Sequence, residues 1–176
     1  KDGRTDSMRA FGKEPYCLVL GGGGAKGVYH AGVWNALRKL DVQVNAFIGN
    51  SVGALIAAIL VQGDDQALEE FADTIDLGSV LDVPDELVED GRLTLRRGKL
   101  PLLGLFTRDI LKHRGIDTSP LRHLLESHLD EERIRRSKVD FGLQTFNLSD
   151  MKPEGKFIEE IADGTLVEYV LASSAL

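Results

Sequence analysis

Twice near its start the chain repeats one pattern: a short apolar run, a stop at glycine, then residues with helical character. Tyr16-Cys17-Leu18-Val19-Leu20 ends in Gly21-Gly22-Gly23-Gly24, and Val33, Leu37 and Leu40 then recur on one face between Lys26 and Leu40. Ala46-Phe47-Ile48 ends at Gly49, and the stretch from Ser51 to Val61 is apolar apart from Ser51, Gly53. Short apolar runs bounded by breakers fit strands of a parallel sheet, which are covered on both faces and need no alternation. Strand, helix, strand, helix is most economically built as parallel strands joined by crossover helices. The predicted fold class is α/β.

The rest of the chain is read from periodicity and punctuation. Residues 65–76 are expected to form a helix, and Leu93 and Leu95 alternate with Arg92, Thr94 and Arg96 as in a strand. Thr118 or Ser119 caps a helix with Pro120 in its first turn and Leu121, Leu124, Leu125 and Leu129 along it. Val139, Phe141, Leu143 and Thr145 alternate with polar or small neighbours, which predicts a strand. A polar loop is expected from Met151 to Gly155, and a helix from Thr165 to Leu176. Residues 1–14 read as a flexible lead-in, closed by Pro15, and 15–176 as part of one domain.

Composition removes several functions. A formal charge of -7 leaves no basic field to neutralise phosphates, so a general nucleic-acid binder is excluded. The densest basic stretch, Arg133, Arg135, Arg136 and Lys138, is flanked by Glu131, Glu132 and Asp140 and reads as a solvated helix end. No apolar run approaches the roughly 18 residues of a membrane span, and the lead-in holds no signal-peptide segment. A cytoplasmic or peripheral-membrane protein is expected, with secretion open if a leader has been removed. The single cysteine, Cys17, is expected as a buried small thiol.

Gly49-Asn50-Ser51-Val52-Gly53 is a G-x-S-x-G segment between a strand and a helix, the context that gives the motif chemical meaning. A serine at so sharp a turn is held in a strained backbone with its hydroxyl above the sheet. Gly49 and Gly53 omit side chains that would strike neighbouring backbone. The rival role for Ser51 is a simple helix cap. Gly22, Gly24 and Gly27 meet a G-x-G-x-x-G spacing, but the second strand ends without the carboxylate a dinucleotide ribose needs. A phosphate-binding loop of the G-x-x-x-x-G-K-S/T type fails too, because Lys26 is followed by Gly27. In a parallel sheet both strand ends open on one crevice, so backbone N–H groups of Gly22, Gly23 and Gly24 are candidates for an oxyanion hole facing Ser51. Lys26 is either a cap for local carbonyls or a contact for a phosphate headgroup. Leu103 and Phe106, in the apolar run Leu100 to Phe106 broken by Pro101 and Gly104, are candidates to line an acyl pocket or to be ordinary core.

Gly22-Gly23-Gly24-Ala25-Lys26-Gly27 followed by Gly49-Asn50-Ser51-Val52-Gly53-Ala54 resembles the two leading motifs of the patatin-like phospholipase family. Asn50 stands where that family commonly has threonine. Ala172-Ser173-Ser174-Ala175-Leu176 resembles a later Ala-Ser segment of the same family, normally followed by proline. The resemblance implies a three-layer α/β/α fold with a mainly parallel sheet, incomplete in this chain. It implies a Ser-Asp dyad that hydrolyses acyl esters of lipids without a metal or cofactor. The family's aspartate lies in an Asp-Gly-Gly or Asp-Gly-Ala motif after the Ala-Ser segment, so a second polypeptide segment is expected to supply it. Asp163-Gly164-Thr165 precedes that segment and reads as a turn into the last helix. A conventional triad would instead use His123 or His128, while His30 follows the glycine loop. His123 and His128 lack the spacing of a helical metal pair. Partners expected are a lipid or ester substrate and, transiently, a membrane surface. The alternative from another class is a non-catalytic lipid-binding or scaffolding module on a hydrolase-like fold.

Overall fold

The computed structural model describes residues 14–74, 88–89, 92–93 and 119–174. The lead-in up to residue 13 and the candidate pocket residues Leu103 and Phe106 lie outside the described residues. β1 (Tyr16–Leu20) runs into a 3-10 turn (Gly24–Gly27) and α1 (Val28–Lys39); β2 (Val44–Asn50) runs into α2 (Val52–Val61) and α3 (Asp65–Thr74). Two short strands, β3 (Val88–Glu89) and β4 (Arg92–Leu93), form a separate antiparallel pair. α4 (Ser119–His128), α5 (Glu131–Arg135), β5 (Asp140–Asn147), β6 (Lys152–Phe157) and α6 (Leu166–Ser173) follow.

The principal sheet is mixed, with strand order β1-β2-β5-β6. β1, β2 and β5 are parallel and β6 returns antiparallel to β5. Both parallel steps move the same way across the sheet, so the right-handed crossover rule carries both helical connections to one face. One cluster of buried residues results, with Phe47, Phe141 and Leu143 of the sheet against Leu55, Ile56 and Ile59 of α2, and Leu166 and Val170 of α6. The expectation of a helix buried on most sides holds, since every residue of α2 is buried. Its leucine and isoleucine side chains each contribute about 1.5–3 kcal/mol of transfer free energy. Trp34 of α1 packs edge-on against Phe47, with ring centroids 5.3 Å apart.

The other face differs. Val19 pairs with Ile48, Ile48 with Gly142 and Gly142 with Phe157, so these residues and Phe146 project together. Val19 is 74% exposed, Phe157 and Phe146 are exposed, and so is Cys17. The expected burial of the thiol is therefore corrected. It stands on the sheet face away from the helices that form the described core; the second helical layer expected of a three-layer fold is not among the described residues.

A second correction concerns Lys152 to Gly155, expected as loop and observed in β6. This strand pairs with β5 alone in the described sheet, with Lys152 exposed and Glu154 and Lys156 half-buried as an ion pair, and an edge position tolerates Pro153. From sequence α5 reads only as a solvated helix end. Arg133 and Arg136 are solvated, but Arg135 turns inward, donating to the carbonyls of Ile158 at 2.9 Å and Ile161 at 2.8 Å. Among the described residues no helix is long and apolar enough to cross a membrane.

Candidate active site

The turn from β2 into α2 is set by backbone packed on backbone. A Cβ at Gly49 would lie 2.3 Å from the Ala54 Cα, and one at Gly53 would lie 2.1 Å from the Leu20 carbonyl oxygen. No side chain fits at either place, which is the steric reason for glycine on both sides of Ser51. Ser51 takes φ 56° and ψ -130°, a conformation that costs a non-glycine residue on the order of 1–3 kcal/mol. Its hydroxyl makes no capping bond to α2, unlike an ordinary helix cap. Its carbonyl instead accepts from Ala54 N–H at 2.8 Å and starts the helix. The first N–H groups of α2 have no intrahelical partner and point toward the turn.

The glycine loop lies against this turn. A Cβ at Gly22 would come within 3.0 Å of the Ser51 Cβ, and one at Gly27 within 2.7 Å of a Val52 methyl. Gly23 and Gly24 have φ of 150° and 56°, the region that favours glycine. Gly22 and Gly23 join Asn50, Ser51, Gln144, Thr145, Phe146 and Ser173 in lining a cleft of about 520 Å³. Gly24 is not among its lining residues; it opens the 3-10 turn, and Lys26, exposed, donates its N–H to the Gly23 carbonyl at 3.2 Å. The histidine Nε2 of His30 donates to the Gly21 carbonyl at 2.9 Å, which anchors the start of the loop.

Ser173 is the residue whose role the sequence did not announce. The Ser51 N–H donates to its Oγ at 2.9 Å across 122 positions of chain. The Ala-Ser-Ser segment reads as a motif, but nothing in it says which backbone group its hydroxyl serves. α6, which carries Ser173, is itself fixed by α5. Glu131 accepts from Gly164 N–H at 2.8 Å, from Leu166 N–H at 3.0 Å and from Arg135 Nη2 at 2.6 Å. Burial alone would raise the Glu131 pKa, but the bonds from Leu166, Arg135 and Gly164 outweigh it and hold the carboxyl below its usual range.

Asp163-Gly164 is a turn, as expected. Asp163 is 94% exposed, pairs with Arg135 at 3.2 Å and does not line the cleft. His123 stands on the surface near Glu126, and His128 Nδ1 donates to the Leu124 carbonyl at 2.9 Å. Neither lines the cleft, and among the described residues its lining contains no carboxylate or imidazole.

Comparison with known proteins decides the family. The model of the patatin-like phospholipase family matches residues 18–176. The chain belongs to the patatin-like phospholipase family. Over 48 residues, 27% of the chain, it is 44% identical to lysophospholipase nte1 of Aspergillus fumigatus, a match that covers 3% of that relative. It superposes on VipD from Legionella pneumophila with a TM-score of 0.54 at 16% identity, covering 89% of the chain and 41% of VipD. It also superposes on a chain of the crystallised complex of full-length SpcU with full-length ExoU, from the type III secretion system of Pseudomonas aeruginosa. There the TM-score is 0.56 at 18% identity, over 92% of the chain and 38% of the other. At such identities the likeness is one of fold. The chain thus spans well under half the length of these relatives. The α/β fold inferred from sequence and the family resemblance both hold.

Proposed function

We propose that this patatin-like chain carries the nucleophile of a serine lipid acyl hydrolase of the phospholipase A or lysophospholipase type. The observation that carries the proposal is Ser51, strained and uncapped, in one cleft with the N–H-bearing glycine loop at Gly22 and Gly23. The Ser51 Oγ attacks the ester carbonyl as a general-base aspartate takes its proton. Backbone N–H groups of the glycine loop hold the oxyanion, the alcohol or lysolipid leaves, and water resolves the acyl-enzyme. Each such N–H donor stabilises the transition state by roughly 3–4 kcal/mol.

The aspartate is assigned to a segment or chain other than the described residues, because among these the cleft lining offers no carboxylate. The same partner segment would cover Val19, Ile48 and Phe157 on the open sheet face. Loss of that segment is expected to lower folding stability as well as activity. Leu103 and Phe106 remain proposed walls of the acyl pocket, and Lys26 a proposed headgroup contact. In the full-length protein, Ser51→Ala is expected to abolish fatty-acid release from phospholipid while the fold persists. Full turnover by that variant rules the assignment out. The same absence of a base in the lining favours a second reading, a lipid-binding module without turnover. Steady-state fatty-acid release by the full-length protein excludes it.

A further inference from the structure

We propose that the turn of the β5–β6 hairpin, Leu148 to Met151, is an apolar tip that seats the Ser51 cleft on a phospholipid surface. The proposal rests on the lipid-hydrolase reading and names the surface that reading requires. β5 runs parallel to β2, so its carboxyl end and the turn beyond it lie on the same sheet edge as Ser51. Phe146, 51% exposed, lines the cleft, and Leu148 and Met151, 78% and 71% exposed, continue outward from it. Met151 has φ 51°, a conformation rare for an unbranched apolar side chain and common for glycine or asparagine. A large hydrophobic residue is held in solvent at a position that favours a small or polar one.

Two further features suit lipid. Backbone N–H groups left unpaired in a bilayer are costly, which is why irregular turns avoid it. Here Asn147 Oδ1 accepts from Ser149 N–H at 3.0 Å and from Asp150 N–H at 3.1 Å, so the turn brings its own acceptors. The one carboxylate within the tip, Asp150, pairs with Lys152 at 3.1 Å, so the two charges cancel. The tip is also small. A specific protein interface takes about 20–30 residues a side, whereas interfacial anchors need only a few side chains reaching about 5–10 Å into the headgroup boundary. That depth is where glycerol esters lie, and it would bring the cleft to its substrate.

The test uses the full-length protein, neutral phosphatidylcholine vesicles and a soluble short-chain ester. Wild type should co-float with the vesicles, and raised salt should leave that binding unchanged. Leu148→Asp with Met151→Asp should lower vesicle partitioning and vesicle-lipid hydrolysis together, by at least about tenfold to hundredfold, the factor lost with even one leucine-sized buried side chain. Hydrolysis of the soluble ester should not change, which also shows that the variant folds. Leu148→Trp should bind at least as well as wild type. Undiminished vesicle binding and hydrolysis in the double aspartate variant overturns the proposal, as does binding that requires anionic lipid. Failure of wild type to cleave the soluble ester defeats the hydrolase reading instead, and vesicle flotation still decides the tip.

Discussion

Two sharp turns each deliver the chain into a helix that packs on the core, and they are built by opposite means. The turn at Ser51 is steric: Gly49 and Gly53 press bare backbone on backbone, with approaches that leave no room for a methyl group. The turn at Asp163-Gly164 is electrostatic: a Cβ on Gly164 would meet nothing within 4 Å, and Glu131 and Arg135 hold the backbone through charged hydrogen bonds. The first kind of turn tolerates no change in volume and is indifferent to pH. The second tolerates volume but depends on ionisation. The contrast matters because α6, held by the second turn, delivers Ser173 to the first.

The largest effect should follow from adding one methyl group at the steric turn. Gly53→Ala is expected to cost more than about 3 kcal/mol, since the Leu20 carbonyl is backbone and cannot move aside. Gly164→Ala, strained only by its φ of 79°, should cost about 1 kcal/mol. Denaturant titration of both variants checks the contrast, and equal losses would erase it.

Next in size is the electrostatic turn. Glu131 has a folded pKa below its unfolded value, so its contribution is fully present above the unfolded pKa and is lost as pH falls through the folded one. Glu131→Gln should cost about 1–3 kcal/mol at neutral pH and flatten this part of the acid limb. A pH series of melting midpoints reads the difference; parallel curves for variant and parent would deny the carboxylate its role.

Ser173→Ala removes the acceptor for the Ser51 N–H in a half-buried site and should cost about 1–2 kcal/mol. It should also lower kcat more than it raises KM, with partial rescue by Ser173→Thr. Loss of stability with unchanged kcat would make Ser173 structural only. The smallest effect has the opposite sign. Ser51→Gly should stabilise the protein by about 1 kcal/mol by relieving the positive φ, while ending catalysis.

The same contrast explains what the sequence disclosed. Steric demands are local and write themselves as glycine, so Gly49, Gly53 and the loop at Gly22 and Gly23 were legible, as were β1, β2 and α2 from their apolar runs. β6 was not, because an edge strand needs no buried side chains and Lys152 to Gly155 look like loop. Cys17 is exposed against expectation because an apolar strand does not say whether both its faces are covered. Ser173 was seen as a motif without a role, since a hydroxyl that serves a backbone group 122 positions away leaves no local pattern. In sequence Arg135 is one cation in a solvated run, and its two carbonyl partners lie more than 20 positions away.

The central claim is that Ser51 is a nucleophile. A fluorophosphonate probe applied to the full-length protein, followed by peptide mass spectrometry, tests it at the atom concerned. The account predicts one adduct, on Ser51, whose formation tracks the loss of fatty-acid release. An adduct on another serine that tracks the loss equally, with Ser51 unmodified, would contradict it.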